Sequence, residues 1–132
     1  IRVTGRMDKK AEDLAAFFNV PSLYAVPWQE RHKAVSTAGL VINASAGGMK
    51  GKSELDLSLS SDAPGTFIYD LIYTPRRTAL LSQAERLNLP HLGGLDMLIA
   101  QARPSFKLFF GERPPDELDP TALLLAALKK KQ

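Results

Sequence analysis

The chain has 132 residues, 45% of them hydrophobic, and a formal charge of +3 built from 17 basic and 14 acidic side chains. That length supports one domain with a real core and not two. There is no cysteine, which excludes disulfides and thiolate chemistry. The basic residues are not interleaved with aromatics, so nucleic acid is not indicated. No apolar run approaches the roughly 20 residues of a membrane span and the N-terminus has no signal-peptide pattern, so a soluble, cytoplasmic protein with no membrane partner is expected.

Ile1 to Thr4 alternate apolar and polar as a strand does, and Gly5-Arg6 turns the chain. Ala11, Leu14, Ala15 and Phe18 then stripe a helix that Asn19 to Ser22 ends. Leu23 to Val26, between Pro21 and Pro27, reads as a short strand, Trp28 to Ala38 as an exposed helix or turn, and Gly39 to Ile42 as a clearer strand. Asn43 to Met49 is a small-residue loop. Lys50 to Gly65 is an irregular surface excursion whose Leu55, Leu57 and Leu59 are spaced for one extended piece. Phe67 to Tyr73 is the strongest strand, apolar on both faces except for Asp70, as expected of a strand covered by helices on both sides. Thr74-Pro75 stops it.

Leu80, Leu81, Ala84 and Leu87 stripe the next helix, which closes at Asn88-Leu89-Pro90, and His91 reads as an ordinary loop residue. After Gly93, the spacing of Leu95, Leu98, Ile99, Ala102 and Phe106 predicts a buried stripe, with Gly94, Met97 and Gln101 on the opposite side of the helix. Pro104 must kink or end that helix. Asp119-Pro120 opens a last one, carrying Leu123 to Leu128, whose Lys129-Lys130-Lys131 run is a solvated end favoured by the macrodipole. Strand and helix alternate, which predicts an α/β fold with a parallel sheet.

In such sheets ligands bind beyond the carboxyl ends of the strands. Arg6, Asn43, Ser45 and Tyr73 fall there, and with Gly94, Met97 and Gln101 they make a candidate cleft. No acid stands at Thr4 or Gly5, while Arg6, Lys9 and Lys10 crowd the turn. That pattern suits a 2′-phosphate rather than free ribose hydroxyls. Each residue also has an ordinary reading as turn chemistry, a solvated basic loop or a core aromatic. Asp70 reads as a carboxylate fixed by backbone donors.

Three segments in order, Asn43-Ala44-Ser45 through Gly48-Met49, Tyr69 through Pro75 with Thr78 and Leu80-Leu81, and Gly94 through Leu98 with Gln101-Ala102 and Phe106, resemble the C-terminal half of the shikimate dehydrogenase family. Gly5-Arg6-Met7 is similar to that family's Asn-Arg-Thr turn at the cofactor 2′-phosphate. The resemblance implies a Rossmann-like doubly wound parallel sheet over residues 1–132, truncated so that the first strand and the glycine-rich loop are lacking. It further implies NADP as cofactor and the reduction of 3-dehydroshikimate to shikimate, a step toward chorismate and the aromatic amino acids.

By the same resemblance Gly5, Arg6 and Lys10 would hold the adenosine phosphate, and Asn43 and Ser45 would line the cofactor crevice. Leu71, Gly94 and Met97 would meet the nicotinamide, and Tyr73 and Gln101 would donate to substrate oxygens. Gly5 and Met7 depart from the family turn, Thr74 stands where Asn is common and Ala79 where Pro is. The family's catalytic lysine and aspartate belong to an N-terminal domain, so no catalytic residue is assigned in this chain.

If Ile1 to Thr4 is the second strand of the order 3-2-1-4-5-6, the lacking strand is the central one. The expectation is then a piece of a larger polypeptide, or a chain completed by another segment, with the N-terminal domain and a small-molecule substrate as partners and a homodimer left open. A quinate/shikimate dehydrogenase-like enzyme and a noncatalytic nucleotide- or partner-binding α/β module are the alternatives.

Overall fold

Two parallel sheets stand side by side without pairing in the computed structural model, which describes residues 1–61, 65–115 and 117–129. The first pairs β1 (Arg2–Val3) with β2 (Tyr24–Ala25), Arg2 opposite Tyr24, and α1 (Asp8–Phe18) connects them. A 3-10 turn (Trp28–Glu30) and α2 (Arg31–Ser36) lead to the second sheet. It runs β3 (Leu40–Asn43), β4 (Phe67–Asp70), β5 (His91–Gly93), with Asn43 opposite Asp70 and Asp70 opposite Gly93. Three further helices follow, α3 (Ala79–Arg86), α4 (Gly94–Phe110) and α5 (Thr121–Lys129). The spatial order is therefore β2-β1, a break, then β3-β4-β5. Parallel pairing through helical connections in both sheets is the wiring of a doubly wound fold.

Arg2 of β1 donates to Thr37 Oγ1 (2.6 Å) and to the Thr37 carbonyl (3.0 Å), just ahead of β3, so the two sheets are tied at that end by a side chain rather than by a ladder.

The core sits on one face of the larger sheet. Ile68, Leu80, Ala84 and Leu89 are buried together, with Val41, Leu55, Leu57, Leu59 and Leu87 packed on them. The excursion supplies Leu55, Leu57 and Leu59 without forming the expected extended piece, since the Leu57 N–H turns back to the Leu55 carbonyl (2.8 Å) and no strand forms there. Gln83 of α3 holds it as a neighbouring strand would, its Oε1 accepting from the Leu59 N–H and its Nε2 donating to the Leu57 carbonyl, both at 3.0 Å. Thr78 starts α3 by accepting the Leu81 N–H (3.2 Å), a helix cap that lets Leu80, Leu81 and Ala84 face inward.

Several expectations are corrected. β4 ends at Asp70, so Tyr73 lies three residues past it rather than closing it. The cause is local: Asp70 Oδ1 accepts the Ile72 N–H (3.1 Å) and turns the chain out of the sheet. His91 belongs to β5 and not to a loop, because a three-residue strand is too short to announce itself by periodicity. Of the two effects expected of Pro104, ending the helix does not occur, since α4 continues through it to Phe110 with one backbone bond lost.

Its apolar stripe is covered only at the start. Leu95 is buried and Leu98 and Ile99 half-buried, whereas Ala102 and Phe106 are exposed, since the helix outruns the sheet beneath it. α1 behaves alike: Ala11 is buried, but Leu14 and Phe18 overhang a sheet of two short strands. The lysine run after Lys129 lies outside the described residues. Among the described residues no helix is long and apolar enough to cross a membrane.

Candidate functional site

Because the strands of each sheet run parallel, their carboxyl ends share one rim, and that rim is knotted together by Asp70. The carboxylate is fully buried and accepts from Asn43 Nδ2 (3.0 Å) and the Ile72 N–H (3.1 Å) on Oδ1, and from the Thr78 hydroxyl (2.6 Å) on Oδ2. Asn43 Nδ2 also donates to the Gly47 carbonyl (3.1 Å), while its Oδ1 accepts from the Ser45 N–H (3.1 Å) and hydroxyl (2.7 Å). Ser45 Oγ in turn accepts from the Gly47 N–H (3.1 Å). Among the described residues no buried side-chain polar atom lacks a partner. The sequence anticipated backbone donors on Asp70. One of the three is backbone and two are side chains.

The third segment joins at Gly94, whose N–H donates to the Ile72 carbonyl (3.2 Å). Only glycine fits there: a Cβ would lie 2.2 Å from the Leu71 oxygen and 2.7 Å from the Ile72 carbonyl carbon. The group that the glycine admits is therefore the chain's own backbone. The small-residue loop is held on the same rim, with the Gly48 N–H on the Ser53 carbonyl (2.9 Å) and the Lys50 N–H on the Thr74 carbonyl (3.1 Å). Gly48 sits at φ 92°, a left-handed conformation that suits glycine. Arg6 Nη1 reaches this loop, donating to Ser53 Oγ (3.1 Å).

The residues singled out from sequence divide accordingly. Asn43, Ser45, Leu71 and Gly94 lie in one connected cluster. The Asn43 amide makes four hydrogen bonds inside the protein, two from its Nδ2 and two to its Oδ1. Gly94 is buried against Leu71 rather than sitting on an exposed helix face. Met97 and Gln101 follow at three and seven residues, about 4.5 and 10 Å along α4. Met97 is half-buried and Gln101 exposed.

Tyr73 is 44% exposed, just beyond the Ile72 link. Gly5 is half-buried, and Arg6 and Lys10 are exposed. Among the described residues no hydrogen bond joins Arg6, Tyr73 and Gln101 to one another, and all three are exposed. Lys9, the third basic residue of the turn, is committed to Asp13, whose hydrogen bond and charge raise it above the ordinary lysine value. A cavity of about 430 Å³ lies elsewhere, between α3, β5 and the start of α4, and none of these residues lines it. Thr78 was the residue that sequence reasoning underrated. Its signal was a threonine three places before Leu81 at the head of an apolar stripe.

The rim suits two parts of a dinucleotide. Arg6 and Lys10 offer exposed cations for a phosphate, and the half-buried Leu71 and Met97 offer apolar side chains for a ring. The described residues supply no glycine-rich turn for a diphosphate. Among them no three His, Asp or Glu side chains gather as a metal site.

Parallel strands in a doubly wound order, with their polar groups and helix starts collected at the carboxyl ends, define this chain as part of a Rossmann-like α/β domain. Residues 94–119 match the family model of the shikimate 5'-dehydrogenase C-terminal domain. The chain matches the shikimate dehydrogenase family. It is 40% identical over 129 residues to the shikimate dehydrogenase (NADP(+)) of Rhodospirillum rubrum, an alignment covering 98% of this chain and 44% of that protein.

Two solved structures are similar. One is quinate dehydrogenase from Corynebacterium glutamicum in complex with NAD (TM-score 0.74, 26% identity, 86% of this chain, 42% of that one). The other is shikimate 5-dehydrogenase from Thermus thermophilus in complex with NADP(H) and shikimate (TM-score 0.70, 29% identity, 97% of this chain, 45% of that one). The chain spans less than half the length of the curated relatives it matches.

Proposed function

We propose that this chain is the NADP-binding portion of a shikimate dehydrogenase, a cytoplasmic enzyme that reversibly reduces 3-dehydroshikimate to shikimate. In this reading the proton is handled by the lysine and aspartate of the family's N-terminal domain and by no residue of this chain. The observation that carries it is the Ile72–Gly94 hydrogen bond, which sets the helix bearing Met97 and Gln101 directly on the segment bearing Leu71 and Tyr73.

The roles follow from what each group can do. Arg6 meets the 2′-phosphate with two parallel N–H donors and Lys10 adds a point charge, a pairing that favours NADP over NAD. Leu71 and Met97 exclude water from the ring face, and the Gly94 backbone fixes how closely the ring can approach. Tyr73 and Gln101 donate to substrate oxygens and so orient its carbonyl. NADPH, when bound, supplies the hydride. Asp70 touches none of these ligands, being buried beneath them.

The likeness to a quinate dehydrogenase favours a second reading, in which the substrate carries quinate's hydroxyls and the cofactor is NAD. The test is NADPH oxidation with 3-dehydroshikimate, and NAD reduction with quinate, on this chain alone and joined to the N-terminal half of a relative. Activity with NADPH and 3-dehydroshikimate only when joined supports the proposal. Turnover of quinate with NAD supports the second reading, and no turnover in either form leaves a noncatalytic binding module.

A further inference from the structure

We infer that Asp70 is a positioning residue, a buried carboxylate that sets the relative placement of the cofactor-facing and substrate-facing segments without touching either ligand. The inference rests on the reading above for what those segments bind. Its geometry stands independently. Asp70 is 0% exposed and collects three neutral donors, one from each of three rim elements: Asn43 at the end of β3, Ile72 just past β4, and Thr78 at the head of α3.

A buried carboxylate is costly unless hydrogen-bonded, and Asp70 is held by donors alone, since no ion pair among the described residues includes it. An apolar residue at this place would leave the Ile72 N–H and the Thr78 hydroxyl proton without their acceptor, whereas the carboxylate satisfies them and gives them direction. Its Oδ1 bond to the Ile72 N–H turns the chain so that the Ile72 carbonyl faces the Gly94 N–H. The placement of Leu71 and Tyr73 relative to α4 is thereby fixed by one side chain. Thr78 couples this to α3, because the hydroxyl that donates to Asp70 also accepts the Leu81 N–H.

The chemistry of Asp70→Asn is diagnostic. An amide oxygen remains for Asn43 and Ile72 but is a weaker acceptor than the carboxylate oxygen, and the amide presents N–H to Thr78, whose hydroxyl proton then has no acceptor. In the chain joined to its catalytic half, kcat falls by about tenfold or more, as expected for a small misplacement of reacting groups, while KM for NADPH stays within about threefold. Amide exchange at Ile72 and Gly94, followed by NMR in the absence of any ligand, accelerates at least about tenfold, and exchange in β4 does not change.

Thr78→Val reproduces the loss of kcat and Thr78→Ser, which retains the hydroxyl, restores it. A folded Asp70→Asn enzyme with unchanged kcat and unchanged exchange at Ile72 overturns the inference. So does a parallel loss of kcat, NADPH affinity and melting temperature, or failure of both Asp70→Asn and Thr78→Val to fold, either of which makes Asp70 a scaffold residue only. Absence of turnover in the unmutated joined enzyme instead removes the functional reading and leaves the exchange measurement to decide the geometry.

Discussion

Gly94 stands so close to Leu71 that a Cβ built on it would lie 2.2 Å from the Leu71 oxygen and 2.5 Å from its carbonyl carbon. Both clashing atoms are backbone, so no rotamer change relieves them. Gly94→Ala is expected to destabilise the domain by about 3 kcal/mol, at the upper end for overpacking. Gly93→Ala is the control, because the nearest atom there is the flexible Leu81 Cδ1 at 3.4 Å, and it is expected to cost under about 1 kcal/mol. Urea unfolding of the two variants measures the contrast; equal costs would show that the approach to Leu71 does not constrain α4.

Arg6 is exposed, and its one hydrogen bond among the described residues goes to Ser53 Oγ. The guanidinium is therefore available to a phosphate at the small cost of one solvent-exposed contact. In the joined enzyme Arg6→Ala is expected to weaken NADPH by about ten- to hundredfold, the worth of charge-assisted bonds, and to leave NADH within about twofold. Fluorescence titration of both nucleotides checks it. Loss of both affinities together would move Arg6 from phosphate recognition to loop structure. Ser53→Ala is expected to change NADPH affinity by less than about threefold.

The fold could be read from the sequence wherever burial has a period. Leu80, Leu81 and Ala84 announced α3, and the spacing of Leu55, Leu57 and Leu59 announced side chains that reach the core, though from a turned segment that Gln83 clamps rather than from an extended one. β5 could not be read, since His91 to Gly93 is too short for any pattern. The far ends of the stripes on α1 and α4 misled for a different reason: periodicity tells which side of a helix is apolar, not whether anything covers it, and Leu14, Phe18 and Phe106 are exposed. For the site, position along the chain located the rim. It could not tell that Asn43 faces inward to Asp70, because a rim amide has the same residue type whether it serves a ligand or the scaffold.

Asp119 gives the chain a local acid sensitivity. The Thr121 hydroxyl and N–H, the latter at 2.9 Å from Oδ1, hold its carboxyl below the usual carboxylate value. A pKa lowered on folding means stabilisation that is fully present above the unfolded value and lost as pH falls through the lower, folded one. The start of α5 is therefore expected to fray on acidification below about pH 4, with the Thr121 amide resonance titrating in step. Asp119→Asn is expected to abolish that titration. An Asp119→Asn chain in which the Thr121 amide still titrates would assign the effect to another carboxylate.

The break between the sheets makes a residue-by-residue prediction. The carbonyls of Gly39 and Asn43 accept from β4 and its continuation at Phe67 and Leu71, so Val41 faces β4 as well, and by alternation Leu40 and Ile42 turn their backbone groups to the break. On the other side, Ile1 and Val3 accept from the chain at Tyr24 and Val26, leaving Arg2 and Thr4 to face it. The side chains of Leu40 and Ile42 are themselves 54% and 51% exposed, so β3 presents an apolar edge strand, a surface that invites pairing. In the chain alone the Leu40 and Ile42 amides are expected to exchange fast while Val41 and Asn43 are protected. Joining the chain to the N-terminal half of a relative is expected to slow Leu40 and Ile42 by at least about a hundredfold, as a parallel strand enters between β1 and β3. Exchange resolved by NMR distinguishes the amides one by one. Protection of Leu40 and Ile42 already equal to that of Val41 in the monomeric chain would mean that β1 and β3 pair directly, and that no strand is wanting between them.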